Sequence, residues 1–499
     1  MRAAFFTIFI VSVFLFASFV SANTIKVPED YPTIQEAINA SSNGDTVLVA
    51  SGTYYENLNF RGKNILLTSY YIFNEDVSYI SNTIINGSLP VYTDTASCVL
   101  FISGEDSTAI LQGFTLTGGT GTKWPDEHGA GTYVEGGGIL VTLSSPTIKN
   151  NLIIENEAIQ AGSGIISAGG GGIRVGDGNP HIINNVIMSN SGMYGGGIVL
   201  NYTGAVIRNN IIYNNRVYQA VTNISTFGGG GIWVLSNFGN TPKILENNTI
   251  IDNSSAGGGS GAAGRGGGVL IWGTTVQAKN NIVCGNTQTT GDQIGLVSGG
   301  SINLTYSLIE GGWSGTGNID VNPNFEESGF YLSDSSECID AGDPDLVYND
   351  PEGDPGMAKQ PAKGTTRNDM GAYGGLGSKE LSEFIITSVN EQNFEPLPQG
   401  FLLLQNFPNP FNPSTKIKFT IPSVETLRDA SLLVTLNVYD VLGNKIATLV
   451  NEEKPAGTFE VEFNGTGLPS GIYFYQLSAR TPLGKAGDFV QSRKMVYLK

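Results

Sequence analysis

The sequence is poor in cysteine, in positive charge and in long apolar runs. Cysteine occurs only at Cys98, Cys284 and Cys338, odd in number and far apart, which excludes a disulfide framework and a zinc-ligand spacing. Against 44 Asp and Glu stand only 26 Lys and Arg, a formal net charge of −18. Such a surface repels phosphate backbones, so nucleic acid is excluded as a partner, and anionic lipid is equally disfavoured. After residue 22 no apolar run reaches membrane-spanning length, so no transmembrane segment is expected once the leader is removed. Charged residues of both signs make up 14%, against about a quarter in ordinary globular chains.

Glycine is abundant, 67 of 499 residues, about twice its usual share. A chain this long calls for several domains or a repeat array. At its start, Arg2, an apolar stretch from Ala4 to Val20 and the small-residue pattern Val20-Ser21-Ala22 indicate a signal peptide over 1–22, an uncleaved anchor being the competing reading.

From Glu135 a repeat emerges. Gly-Gly-Gly followed by Ile or Val recurs at Gly136, Gly170, Gly195, Gly229 and Gly266, and an Asn pair follows at Asn150, Asn184, Asn209, Asn247 and Asn280. The third glycine and the first asparagine are 12 apart in four copies and 16 in the other. A further asparagine lies six residues beyond each pair's first member: Asn156, Asn190, Asn215, Asn253 and Asn286. Each unit carries three short apolar runs, hence three strands per turn. Glycine and asparagine tolerate left-handed corners, and stacked amides can hydrogen-bond between coils at the ~4.8 Å strand spacing. A parallel β-helix meets all these conditions. Units lengthen mainly after the last asparagine, at 157–169, 216–228 and 254–265, so the inserts share one corner.

Around this core, Thr33 and Glu36 form a capping box for a short helix with Ile34, Ala37 and Ile38 on one face and Gly44 as its stop, placed to cover the first open edge. Fainter repeat copies lie at 111–116 and 302–309. The layout is 1–22 signal peptide, 23–45 N-terminal segment, 46–378 β-helix with closing segment, 379–399 linker and 400–499 a small immunoglobulin-like β-sandwich of alternating strands.

Tyr31-Pro32-Thr33-Ile34-Gln35-Glu36-Ala37-Ile38, Gly44-Asp45-Thr46-Val47 and Gly52-Thr53-Tyr54 resemble the start of the right-handed parallel β-helix, pectin-lyase-like superfamily, and Cys338 to Pro344 with Asp369 to Tyr373 resemble its secreted members' closing segment. Pro408 to Pro413, Tyr439 to Gly443, Leu468 to Tyr473 and Lys494 to Lys499 resemble the type A sorting domain of the type IX secretion system. That resemblance implies a Bacteroidota-like bacterium, passage across the outer membrane by the type IX machinery, and surface attachment or release after removal of the tail. Lyases of the superfamily hold Ca²⁺ with Asp/Glu clusters while Arg or Lys takes a proton, and its hydrolases group aspartates. This chain has no Asp-Asp pair, no Gly-His-Gly and no Arg-x-Pro-x-x-Arg.

Strand alternation points Arg174, Asn201, Trp233 and Trp272 outward on one sheet, where the tryptophans could stack on sugar rings. The alternative is that the long corner loops fold over them, since Leu140, Val199 and Leu270 point the same way. Asp126, Glu127 and His128 are either an acid–base cluster or a solvated loop. Asp340, Asp343 and Asp345 open an acidic run continued by Asp350, Glu352 and Asp354, dense enough in oxygen for Ca²⁺ yet without EF-hand spacing. The expectation is a secreted or cell-surface, non-catalytic module binding polysaccharide or a surface partner. A carbohydrate-active enzyme such as a polysaccharide lyase is the first alternative, and a structural stalk the second.

Overall fold

The computed structural model describes residues 22–160, 164–217, 228–236, 241–255, 264–326 and 330–378, and in the C-terminal part 402–403, 406, 409, 411–421, 432–441, 443–454, 457–480 and 489–498. The expected signal peptide (bar Ala22) and linker lie outside these residues, as do most of the inserts 216–228 and 254–265. The described residues fall in two units, each treated by itself.

The first unit is a stack of coils with three parallel sheets of eight, ten and nine strands. The post-glycine sheet contains Ile139–Thr142, Ile173–Gly176, Ile198–Asn201, Ile232–Leu235 and Val269–Trp272 in unbroken register. The other two sheets flank each Asn pair, for example Thr147–Lys149 before it and Leu152–Ile154 after it. Inward residues such as Ile139, Ile148 and Ile153 are fully buried and form one continuous core. Short strands after the last asparagine, Ser191–Gly192, Arg216–Val217, Ser254–Ser255 and Thr287–Gln288, form a fourth sheet.

Each part of the repeat has a distinct physical job. The first glycine of a triplet takes a left-handed turn, as at Gly229 (φ 66°). The second permits contact between coils: a Cβ on Gly230 would sit 2.5 Å from the Gly267 carbonyl oxygen and 2.6 Å from Ser254 backbone. Because both obstacles are main chain, Gly230→Val is expected to cost ~3 kcal/mol or more, seen as a lower thermal midpoint, whereas ordinary overpacking costs about 1–3 kcal/mol. Within each Asn pair the roles divide. The first member is left-handed, φ 51–57° at all five sites. The second is buried and extended into a ladder, Asn151 Nδ2 donating to Asn185 Oδ1, Asn185 to Asn210, Asn210 to Asn248 and Asn248 to Asn281, all at 3.0–3.1 Å. A second ladder joins Asn156, Asn190, Asn215, Asn253 and Asn286 at 2.9–3.1 Å and ends on Gln293.

At the N-terminal end, Ile34–Ala40 forms the covering helix, with Ile34, Ala37 and Ile38 buried and the Thr33 side chain accepting from the Glu36 N–H. Glu56, not foreseen, accepts from the Ile34 and Gln35 N–H groups at 2.9 Å each. The helix stops before Gly44, because Ser41 caps it by donating its hydroxyl to the Ile38 carbonyl at 2.7 Å. Thr24–Val27 already pairs with Thr46–Val49, so the stack begins ahead of the helix. Its last strands are Ser301–Thr305 and Leu308–Ile309. The closing segment then returns along the corner of the left-handed asparagines: Asn247 Nδ2 donates to the Asp369 carbonyl at 2.9 Å and Asn209 Nδ2 to the Ala372 carbonyl at 3.0 Å.

The second unit packs two antiparallel sheets over one core that includes Ile417, Phe419, Leu436, Val438, Tyr475 and Leu477. One sheet comprises Leu402–Leu403, Ser414–Ile421 and Gly457–Asn464. The other comprises Lys445–Lys454, Leu432–Tyr439, Gly471–Arg480 and Phe489–Tyr497.

Candidate functional site

The outward face of the post-glycine sheet carries two lines of side chains. The strands' second positions are Leu140, Arg174, Val199, Trp233 and Leu270, in register. They lie beneath a cover made by strands Gly121–Pro125, Thr132–Glu135 and Ile165–Gly169, the last belonging to the 157–169 insert. Trp233, 5% exposed, joins a second core with Val134, Ile165, Met193, Tyr194, Val199 and Leu270, its ring 5.1 Å from that of Tyr194. Arg174 and Trp233 therefore do not stand on an open surface; the cover encloses them.

Arg174 is fully buried and held by two carboxylates from the cover. Its two terminal nitrogens donate to the two oxygens of Glu127 at 2.9 Å each, a bidentate pair. Its Nε lies 2.8 Å from Glu135 Oε2, out of line for a good hydrogen bond, and Glu135 Oε1 accepts from the Tyr194 hydroxyl at 2.9 Å. Glu127 also accepts from Thr142 and from the Trp124 indole. Burial would raise Glu127, but the hydrogen bonds and charge of Arg174 outweigh it and hold the carboxyl at about 2. Burial pushes Glu135 up, and the opposing charge of Arg174 and the Tyr194 hydrogen bond do not offset it. Burial alone would ease deprotonation of Arg174, but Glu135 and Glu127 more than reverse this, so Arg174 is a fixed cation and no proton acceptor.

Because Glu127 falls from 4.5 when unfolded to about 2 when folded, its contribution is complete above about pH 4.5 and lost as pH falls toward 2. Denaturant unfolding between about pH 5 and pH 2.5 should show a slope that Glu127→Gln flattens, by ~2–3 kcal/mol at most.

The tripeptide Asp126-Glu127-His128 does not act as one cluster. Asp126 accepts from the backbone N–H groups of His128 and Ala130, Glu127 turns inward, and His128 turns outward to Asp177, Nε2 to Oδ1 3.1 Å, while stacking on Tyr202 with ring centroids 3.8 Å apart. The hairpin tip is anchored at three points, so it is not a freely solvated loop.

The second outward line holds the strands' fourth positions: Thr142, Gly176, Asn201, Leu235, Trp272 and Val297. Leu235, Trp272 and Val297 are half-buried against the edge of the second core. Asn201 is buried, with its Oδ1 lacking a hydrogen-bond partner among the described residues.

Elsewhere the members of the acidic run make separate contacts. Asp340 accepts from the Thr365 hydroxyl at 2.6 Å, Asp343 from Lys279 Nζ at 2.8 Å, and Asp345 from the Val347 N–H at 3.2 Å. Among the described residues, no three His, Cys, Asp or Glu side chains converge as a metal-binding group, so Asp340, Asp343 and Asp345 do not come together around Ca²⁺. All three cysteine thiols are buried and pushed up to about 12 by desolvation, too high for nucleophilic use. Glu135, Tyr194, Asp177 and Tyr202 escaped the sequence reading. The one available signal was Arg174 itself, a charge at a position where its register neighbours Leu140 and Val199 are apolar.

Residues 405–484 match the family described as "Secretion system C-terminal sorting domain". No curated protein shows significant similarity to the chain. Similar solved structures include a pectin methylesterase in complex with a hexasaccharide (12% identity, TM-score 0.31, 59% of this chain and 80% of that one). A PL6 family alginate lyase is also similar (14% identity, TM-score 0.23, 61% of this chain and 54% of that one). Among the described residues no helix is long and apolar enough to cross a membrane. The chain is a parallel β-helix protein, secreted or displayed on the cell surface, that ends in a secretion-system C-terminal sorting domain.

Proposed function

We propose that the β-helix is a non-catalytic module that binds an extended polysaccharide along the outer edge of its post-glycine sheet. The observation that carries this reading is the line Leu235, Trp272 and Val297, which sets a half-buried indole between half-buried aliphatic side chains of the two adjacent coils, at about 4.8 Å per step. An aromatic face offers apolar area to a sugar ring. The enclosure of Arg174 speaks against catalysis. Beneath the cover one basic group and two carboxylates do converge, the ingredients of a lyase centre, but the guanidinium is fully buried and committed to Glu127 and Glu135.

The test is to incubate the secreted protein with a panel of neutral and uronic polysaccharides, following retardation in affinity electrophoresis and the appearance of new reducing or unsaturated ends. Retardation without new ends is the expected result, weakened by Trp272→Ala. New ends would overturn the reading in favour of a polysaccharide lyase or hydrolase, and no retardation by any polymer would favour a stalk.

A further inference from the structure

The two sheets of the C-terminal unit differ sharply on their outer faces. In the three-stranded sheet the outward positions of Ser414–Ile421 include Lys416 and Lys418, both exposed. Exposed lysines are what a solvated face requires. In the four-stranded sheet, Val434, Leu436 and Val438 face the core on one strand and Tyr473, Tyr475 and Leu477 on the next, so Tyr439, Ile472 and Phe474 must point outward.

Register gathers these residues at one end. Phe474 lies opposite Tyr439 on one side and Lys494 on the other, Ile472 lies opposite Val496, and Tyr439 lies opposite Lys445 on its other side. Ile472 is 43% exposed and Phe474 39%, and beyond the strand ends Val441 is 64% exposed and Leu498 51%. Single exposed apolar residues need no explanation, but a contiguous group on one sheet face marks an interaction surface.

We propose that this apolar end, formed by Tyr439, Val441, Ile472, Phe474, Val496 and Leu498, is the surface by which the secretion apparatus takes hold of the chain, through an apolar patch with an acidic rim facing Lys494 and Lys445. The proposal rests on the sorting-domain match, which makes being bound by that apparatus the task of this unit. The occupant is assigned to the apparatus because the patch sits on the sorting unit itself and is flanked by lysines in a chain whose net charge is −18. Two copies of a chain with net charge −18 repel each other at long range, which disfavours a second copy as the occupant.

The test uses the full chain expressed in a host with the type IX machinery, reading the ratio of surface plus medium protein to protein retained behind the outer membrane. Ile472→Thr with Phe474→Thr keeps strand-compatible side chains and should lower that ratio about tenfold or more. Lys416→Thr with Lys418→Thr on the opposite sheet should leave it unchanged. Protease resistance of the retained C-terminal unit checks folding. Should the double variant be degraded, Val441→Lys, in a turn outside the core, must give the same retention. Secretion of folded patch variants at the unmodified level would overturn the proposal, as would a change in self-association with secretion intact. Deleting residues 400–499 separates the two levels: secretion without the tail would overturn the sorting role itself, whereas tail-dependent secretion of the patch variants would overturn only the patch.

Discussion

Arg174→Ala is expected to destabilise the β-helix by ~3–5 kcal/mol, the loss typical when one partner of a buried ion pair is removed and the other stays uncompensated. Two carboxylates would be left behind, with side-chain exposures of only 9% at Glu127 and 5% at Glu135. The penalty should come from those stranded charges, not from lost Coulomb attraction. A triple replacement, Arg174→Met with Glu127→Met and Glu135→Met, is therefore expected to return to within ~2 kcal/mol of the unmodified protein, since buried ion pairs can be exchanged for packed apolar groups at little cost. Denaturant unfolding followed by near-ultraviolet dichroism of the buried Trp233 reads both effects. Limited proteolysis should also show new cleavage at the 126–131 tip in the single variant, because Glu127 is that tip's inward anchor. A single-variant loss below ~1 kcal/mol would mean that the cluster is wetter than its burial implies.

The stack was legible in the sequence because its requirements are local and repeat. A left-handed corner selects glycine or asparagine, a close coil contact selects glycine, and an interior ladder selects an amide, so each coil states the same constraints again. The cover is not repeated, and nothing in its spacing points to its partner: Glu127 reaches Arg174 from 47 positions earlier. Alternation was right that Trp233 leaves the inner core, but it cannot say whether a second layer waits there. The hint was the apolar company of Leu140, Val199 and Leu270, now buried with it. The acidic run misled for a different reason. Aspartate often bonds the N–H two residues ahead, as Asp343 does to Asp345 and Asp345 to Val347, so oxygen-rich composition can reflect turn-making alone.

Asn209 and Asn210 look interchangeable in sequence, yet their substitutions should differ several-fold in effect. Asn210 Oδ1 accepts from both the backbone N–H and Nδ2 of Asn185, and its own Nδ2 donates to the Ile182 carbonyl, the Arg208 carbonyl and Asn248 Oδ1. Asn210→Leu would strand several of these buried groups, each costing ~1–3 kcal/mol, for a total loss of ~3–5 kcal/mol allowing for relaxation. Asn210→Asp should be little better, because a carboxylate keeps the acceptor and loses the donors. Asn209 instead provides a left-handed corner, φ 54°, which glycine adopts freely. Asn209→Gly should cost the stack no more than ~1 kcal/mol, but it removes two bonds to the closing segment, at the Ala372 and Gly374 carbonyls. The two variants should thus separate by readout: Asn210→Leu lowers the thermal midpoint of the whole stack, while Asn209→Gly leaves it nearly unchanged and speeds proteolysis within 340–378. Equal effects from both would mean that the ladder and the corner are not separate devices, and that the pair acts as one unit in each coil.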